Sequence, residues 1–186
     1  MCRARYWLPK KPLKWLLSAS PLGSRLSYGF GRPAGPPAGI AMTLRLDSHR
    51  ANRPSTELLL RLDRRAERYR LEHSLVDIVR LRVSQINGCP YCIDLHSTRA
   101  RKDGEMAARI DMLELWRETS RYTDRERAAL AWAEAVTRIA GTRVPDAVWE
   151  AVRPYFSDRE IVDLTLLVTA VNSLNRFGIA FRRTPG

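Results

Sequence analysis

The chain has 186 residues, 45% of them hydrophobic and 28% charged, with a formal net charge of +12. That is enough apolar material for one domain with its own core, and no apolar run reaches the ~20 residues that a membrane-crossing helix needs. Three cysteines, only two of them close in sequence, do not make the even framework of a small secreted domain, so a reducing cytoplasm with one reactive pair is expected.

The charge is unevenly placed. Met1 to Ala41 holds Arg3, Arg5, Lys10, Lys11, Lys14, Arg25 and Arg32 and no acid, which leaves +5 for Met42 onward. Gly-Arg-Pro-Ala-Gly-Pro-Pro-Ala-Gly (31–39) cannot hold a helix or a central strand, and Trp15-Leu16-Leu17 is too short for a signal-peptide core. Residues 1–41 therefore read as a disordered leader, or as upstream sequence with Met42 the true initiator. The second reading is preferred because ordinary domain sequence follows Met42 at once. Residues 42–186 form the expected domain. Its arginines alternate with acids, as in Asp63-Arg64-Arg65-Ala66-Glu67-Arg68, which reads as solvated helix surface rather than a nucleic-acid stripe.

From Met42 the periodicity is helical throughout and no stretch alternates as a strand. Glu57 to Arg70 places Leu58, Leu62 and Ala66 on one stripe. Ser74 opens a helix carrying Leu75, Ile78, Val79, Val83 and Ile86, and Asn87-Gly88 ends it. Pro90 suits the first turn of the next helix, which runs through Cys92, Leu95 and Arg99 to a stop at Asp103-Gly104. One or two short helices fill Glu105 to Trp116. Thr123-Asp-Arg-Glu126 is a capping box opening an alanine-rich helix with Trp132, Val136 and Ile139, closed by Gly141. Pro145 starts a short helix with Val148 and Val152. Ser157-Asp-Arg-Glu160 is a second capping box, leading into Ile161, Leu164, Val168 and Val171 on one buried face. The expected fold is all-α, with about six or seven helices.

Cys89-Pro90-Tyr91-Cys92 followed by His96 carries the chemistry. A helix turns about 100° per residue, so Cys89, Cys92 and His96 share one face to within about 60°. A thiol in the first turn of a helix has its thiolate favoured, and an imidazole one turn on can move the proton. Other readings are weaker. A structural zinc site wants a second ligand pair, and only His49, His73 and His96 are present besides the cysteines. A thioredoxin-type motif needs a βαβ context that is absent. Two buried small hydrophobes would explain either cysteine taken singly, but not the pair in phase with His96. His49 and His73 read as polar or boundary residues, and Trp116, Trp132 and Trp149 as packing.

The stretch Val76-Asp77-Ile78-Val79-Arg80-Leu81-Arg82-Val83-Ser84-Gln85-Ile86-Asn87-Gly88-Cys89-Pro90-Tyr91-Cys92-Ile93-Asp94-Leu95-His96 closely resembles the core of the alkylhydroperoxidase D-like branch of the carboxymuconolactone decarboxylase family. The likeness extends over most of Ser55–Gly186, including Asn172-Ser-Leu-Asn175-Arg176, where the family commonly reads N-x-W-N-R. Residues 1–41 lie outside it.

The resemblance implies an all-helical bundle that oligomerises, as a trimer or hexamer, and a peroxidase cycle needing no metal, haem or flavin cofactor. By position, Cys92 would attack the peroxide and Cys89 would resolve the sulfenic acid as a disulfide, which a dithiol or lipoyl-type protein partner reopens. His96 would belong to the proton relay, together with a carboxylate twelve residues before the first cysteine. That residue is usually Glu and here is Asp77, shorter by one methylene, about 1.5 Å. Asp77 reads equally well as an N-terminal helix acid favouring the dipole, and Asn175 and Arg176 read as structural. Lactone decarboxylases of the family generally lack the cysteine pair, which argues against that activity. A redox-sensing oligomer without turnover is the alternative from another class. The peroxidase reading requires the two sulfurs within bonding range of each other and open to an oxidant.

Overall fold

The computed structural model describes residues 43–185, so the segment read as a leader lies outside the described residues. Among the described residues all regular structure is helical. Six helices have seven residues or more: α2 (Arg53–Arg64), α3 (His73–Asn87), α4 (Pro90–Lys102), α6 (Asp124–Thr137), α8 (Asp146–Val152) and α9 (Asp158–Ala180). Shorter pieces join them: α1 (Ser48–Ala51), α5 (Ala107–Asp111), α7 (Ile139–Thr142) and 3-10 turns at Arg65–Arg68 and Leu113–Leu115. None of these helices is long and apolar enough to cross a membrane.

The helix α3 is the axis of the fold. It packs against α4, α6 and α9, while α6 also meets α8 and α9, and α2 lies on α9. Every residue of α3 from Leu75 to Leu81 is buried, then Val83 and Ser84. A helix buried on all sides belongs inside a bundle rather than on its surface. Leu130 and Ala133 of α6 and Leu164, Val168 and Val171 of α9 close the core around it.

Local signals hold where they rest on contacts three or four residues apart. Thr123 and Ser157 each accept from the backbone N–H of the residue three on, and Glu126 and Glu160 reach back to the cap, completing both boxes. Four sequence expectations change. The first long helix starts at Arg53 rather than Glu57, because Asn52 caps it by accepting from the Ser55 N–H and Pro54 falls in the first turn. Leu58 is 66% exposed and does not share a buried stripe with Ala66. The alanine-rich helix stops at Thr137, so Ile139 belongs to a separate turn and is 56% exposed. The fourth change is Arg80, which is not solvated surface. It lies 1% exposed within the bundle, its Nη2 3.1 Å from Asp63 Oδ1 and donating to the Asp63 carbonyl at 3.0 Å.

Candidate active site: a cysteine pair under the last helix

The site is built at the joint between α3 and α4. Gly88 takes φ +67°, a left-handed conformation that costs a side-chain-bearing residue. From that position Gly88 N–H donates to Gln85 O at 3.1 Å and Cys89 N–H to Ser84 O at 3.1 Å, the paired bonds of a Schellman stop. The stop turns the chain, and Pro90 opens α4 at a position where its missing N–H leaves no bond unmade. Cys89 is the N-cap residue and Cys92 sits in the first turn. Their Cα atoms are 5.3 Å apart, and a disulfide joins them.

The pair is enclosed. Cys89 has no exposed surface and Cys92, the residue expected to meet the peroxide, keeps 5%. The sulfurs are within bonding range, but the opening expected for an oxidant is reduced to that small patch of Cys92. The roof of the pair is the last turns of α9, where Gly178 leaves bare backbone over the sulfurs. A methyl group at that position would lie 2.9 Å from Cys89 Sγ and 3.5 Å from Cys92 Sγ. Beyond it Arg183 N–H donates to Gly178 O at 2.8 Å, and the Arg183 guanidinium stacks 4.0 Å over the Tyr91 ring, between the two cysteines.

His96 lies one turn along α4 from Cys92 and is also buried. Burial, reinforced by the charges of Arg80 and Arg99, pulls its imidazole down to about 3, so the ring is neutral at pH 7. Asp77 is buried on α3, and its charged partner is Arg99, with Nε 4.0 Å from Oδ1. Burial raises the Asp77 carboxyl, Asp103 adds to the rise, and Arg99 opposes it. The structure therefore joins Cys89 to Cys92 and gathers His96, Arg80, Asp77 and Arg99 along the facing sides of α3 and α4. Neither Asp77 nor His96 makes a side-chain hydrogen bond among the described residues; Asp77 is tied to Arg99 rather than to the imidazole. The other histidines stand apart: His49 contacts Thr56 Oγ1 at 3.2 Å, and His73 begins α3. No group of three or more His, Cys, Asp or Glu residues able to hold a metal ion occurs among the described residues.

Three supports escape inspection of the sequence. Asn87 Nδ2 donates to Asn172 Oδ1 and Asn175 Oδ1, each at 2.8 Å, and Asn175 Nδ2 donates to Ser84 Oγ at 3.2 Å. This amide bridge pins the end of α3, and so the cysteine joint, to α9. Asn175, read as structural, holds that place with no exposed surface. Arg80 and Gly178 are the other two. For Asn175 the signal was an amide at a core-phase position of α9. Neither Arg80 nor Gly178 gave one.

The chain is an all-helical bundle whose paired cysteines open one helix, with a histidine one turn on. The carboxymuconolactone decarboxylase family model matches residues 57–135. The Bacillus subtilis protein YdfG, itself uncharacterised, is 36% identical over 124 residues, covering 67% of this chain and 84% of YdfG. An Agrobacterium tumefaciens crystal structure, described as a protein of unknown function and a candidate antioxidant defence protein AhpD, superposes with a TM-score of 0.76. It is 37% identical, covering 77% of this chain and 99% of that one. An uncharacterised peroxidase-related protein from Silicibacter sp. TM1040 shares the fold at TM-score 0.65 and 24% identity, over 73% of this chain and 72% of its own. The chain belongs to the carboxymuconolactone decarboxylase family, and its fold is that of the alkylhydroperoxidase D-like members.

Proposed function

We propose that the protein is a thiol-dependent peroxidase that reduces hydroperoxides through a Cys89–Cys92 dithiol/disulfide cycle. The observation that carries this reading is the bond between the two sulfurs, at the start of a helix and one turn from a neutral, buried imidazole. The Cys92 thiolate attacks the distal oxygen of the peroxide. The O–O bond breaks, Cys92 becomes a sulfenic acid, and the alkoxide leaves as the alcohol after taking a proton. The Cys89 thiol then displaces water from the sulfenic sulfur to close the disulfide. A dithiol, free or carried on a lipoyl-type protein, returns two electrons and two protons and is itself oxidised to a disulfide. This cycle calls on no metal, haem or flavin.

His96 is assigned to the proton step by its place one turn from Cys92; its ring is neutral at pH 7, and burial makes it a weak base that passes a proton on rather than holding one. Asp77 is assigned to the same relay. Its carboxylate is balanced by Arg99, whose field also reaches His96. A homo-oligomer, trimer or hexamer, accords with the apolar side chains Val162, Leu166 and Phe177 left exposed along one side of α9. Neither a membrane nor a nucleic acid is assigned as a partner.

The test is peroxide consumption with a dithiol in excess, alongside free-thiol titration before and after one equivalent of peroxide. Loss of two thiols per chain, a mapped Cys89–Cys92 disulfide, and abolished consumption in Cys92→Ser are expected; unchanged consumption in that variant refutes the thiol mechanism. The enclosure of the pair favours one second reading, a redox-sensing oligomer that oxidises once and does not turn over. Stoichiometric oxidation with no turnover under any dithiol would select it.

A further inference from the structure

The backbone of α9 passes directly over the two sulfurs, and only one of its residues lacks a side chain there. Gly178 is buried, has ordinary helical geometry and is not part of a turn, so nothing in the local backbone calls for glycine. In a helix interior glycine is a poorer choice than alanine, because its backbone loses more freedom on folding. The contact with the sulfurs supplies the reason: 2.9 Å to Cys89 Sγ is closer than carbon and sulfur can approach without displacement. The roof has little freedom to lift. Arg45 ties down its C-terminal end, its backbone N–H donating to Phe181 O at 2.9 Å and its Nη1 to Ala180 O at 3.1 Å. Arg183 ties it to Tyr91.

We propose that Gly178 is the positioning residue of the pair: its bare backbone is the space the sulfurs occupy when the bond closes, so position 178 sets the thiol–disulfide equilibrium. The inference rests on the cycling read above. Such control requires that on reduction the sulfurs part and Cys89 Sγ moves off α9. In the oxidised state they are fixed against each other beneath it, and a methyl group there opposes closure selectively.

The experiment equilibrates purified wild type and Gly178→Ala with glutathione buffers. The exchange converts one protein dithiol and one glutathione disulfide into one protein disulfide and two glutathione thiols, and trapped thiols are counted by mass. The equilibrium constant for closure is expected to fall at least tenfold in Gly178→Ala. Thermal melts of the same substitution in a Cys89→Ala/Cys92→Ala background separate the contact from a folding defect. With no sulfur to meet, the melting temperature there should hold or rise, as helix propensity requires. A closure constant within twofold of wild type, or a melting loss as large without the sulfurs as with them, overturns the inference. A wild-type pair that stays reduced at every glutathione ratio ends the cycling reading and this inference with it.

Discussion

Replacing Arg80 by methionine removes a charge the bundle has enclosed while keeping most of the side-chain volume. Three contacts go: Nε to Asp63 Oδ1 at 3.2 Å, Nη2 to the same oxygen at 3.1 Å, and Nη2 to the Asp63 carbonyl at 3.0 Å. Breaking a buried ion pair by deleting one partner costs about 3–5 kcal/mol, mostly because the other charge is stranded. Here the stranded group is Asp63, whose side chain is 17% exposed and can recover some water, so the low end, about 3 kcal/mol, applies. Asp63→Leu strands Arg80 at 1% exposure and should cost more than Arg80→Met. Replacing both, as Asp63→Leu/Arg80→Met, should recover part of the loss, because no charge is then left without a partner.

Urea denaturation at pH 7, with the disulfide held in one state, measures all three variants. Thermal melts should show Arg80→Met lower by about 6–12 °C, from 2–4 °C per kcal/mol for a chain of this size. A cost below about 1 kcal/mol for Arg80→Met, or a double variant no better than the sum of the singles, would show that Arg80 is not a buried partner of Asp63.

Asn175→Ala removes an amide with no exposed surface and two hydrogen bonds from the α3–α9 bridge. Asn87 keeps Asn172, so the loss should be about 2–3 kcal/mol by chemical denaturation, with slower reclosure of the Cys89–Cys92 disulfide; full stability with unchanged closure would refute the bridge. The pH dependence follows from His96, whose folded value is depressed to about 3 against an ordinary 6.5. Below pH 6.5 the unfolded chain takes up the proton and the folded one does not, so stability falls with acidification down to about pH 3. The difference in unfolding free energy between wild type and His96→Gln should shrink by up to about 1.4 kcal/mol per pH unit in that window. A difference flat with pH refutes the neutral-histidine assignment.

What the sequence determined by itself is everything carried by contacts within one turn of chain. Both capping boxes, the glycine stop at Gly88 and the proline opening of α4 are of this kind. Each depends on backbone groups three to five residues apart, so spacing and residue type are sufficient to state them. The shared face of Cys89, Cys92 and His96 follows from the helical repeat over two turns. The all-helical class followed because period 3.6 recurs from Met42 onward. Tertiary structure alone decided what those helices bring together. Asn87 meets partners 85 and 88 residues away, Arg80 meets Asp63 on another helix, and Gly178 meets sulfurs nearly half the chain before it. Arg80 stands beside Leu81 and Arg82 in a string that alternates like any solvated face, and only packing by α2, α4, α6 and α9 shows that α3 has no outer face there. The same packing gave Asp77 to Arg99 and set a helix over the cysteine pair. Periodicity fixes which way a side chain points along its own helix. It does not fix which helix lies opposite, because that is chosen by the sum of many weak contacts across the bundle.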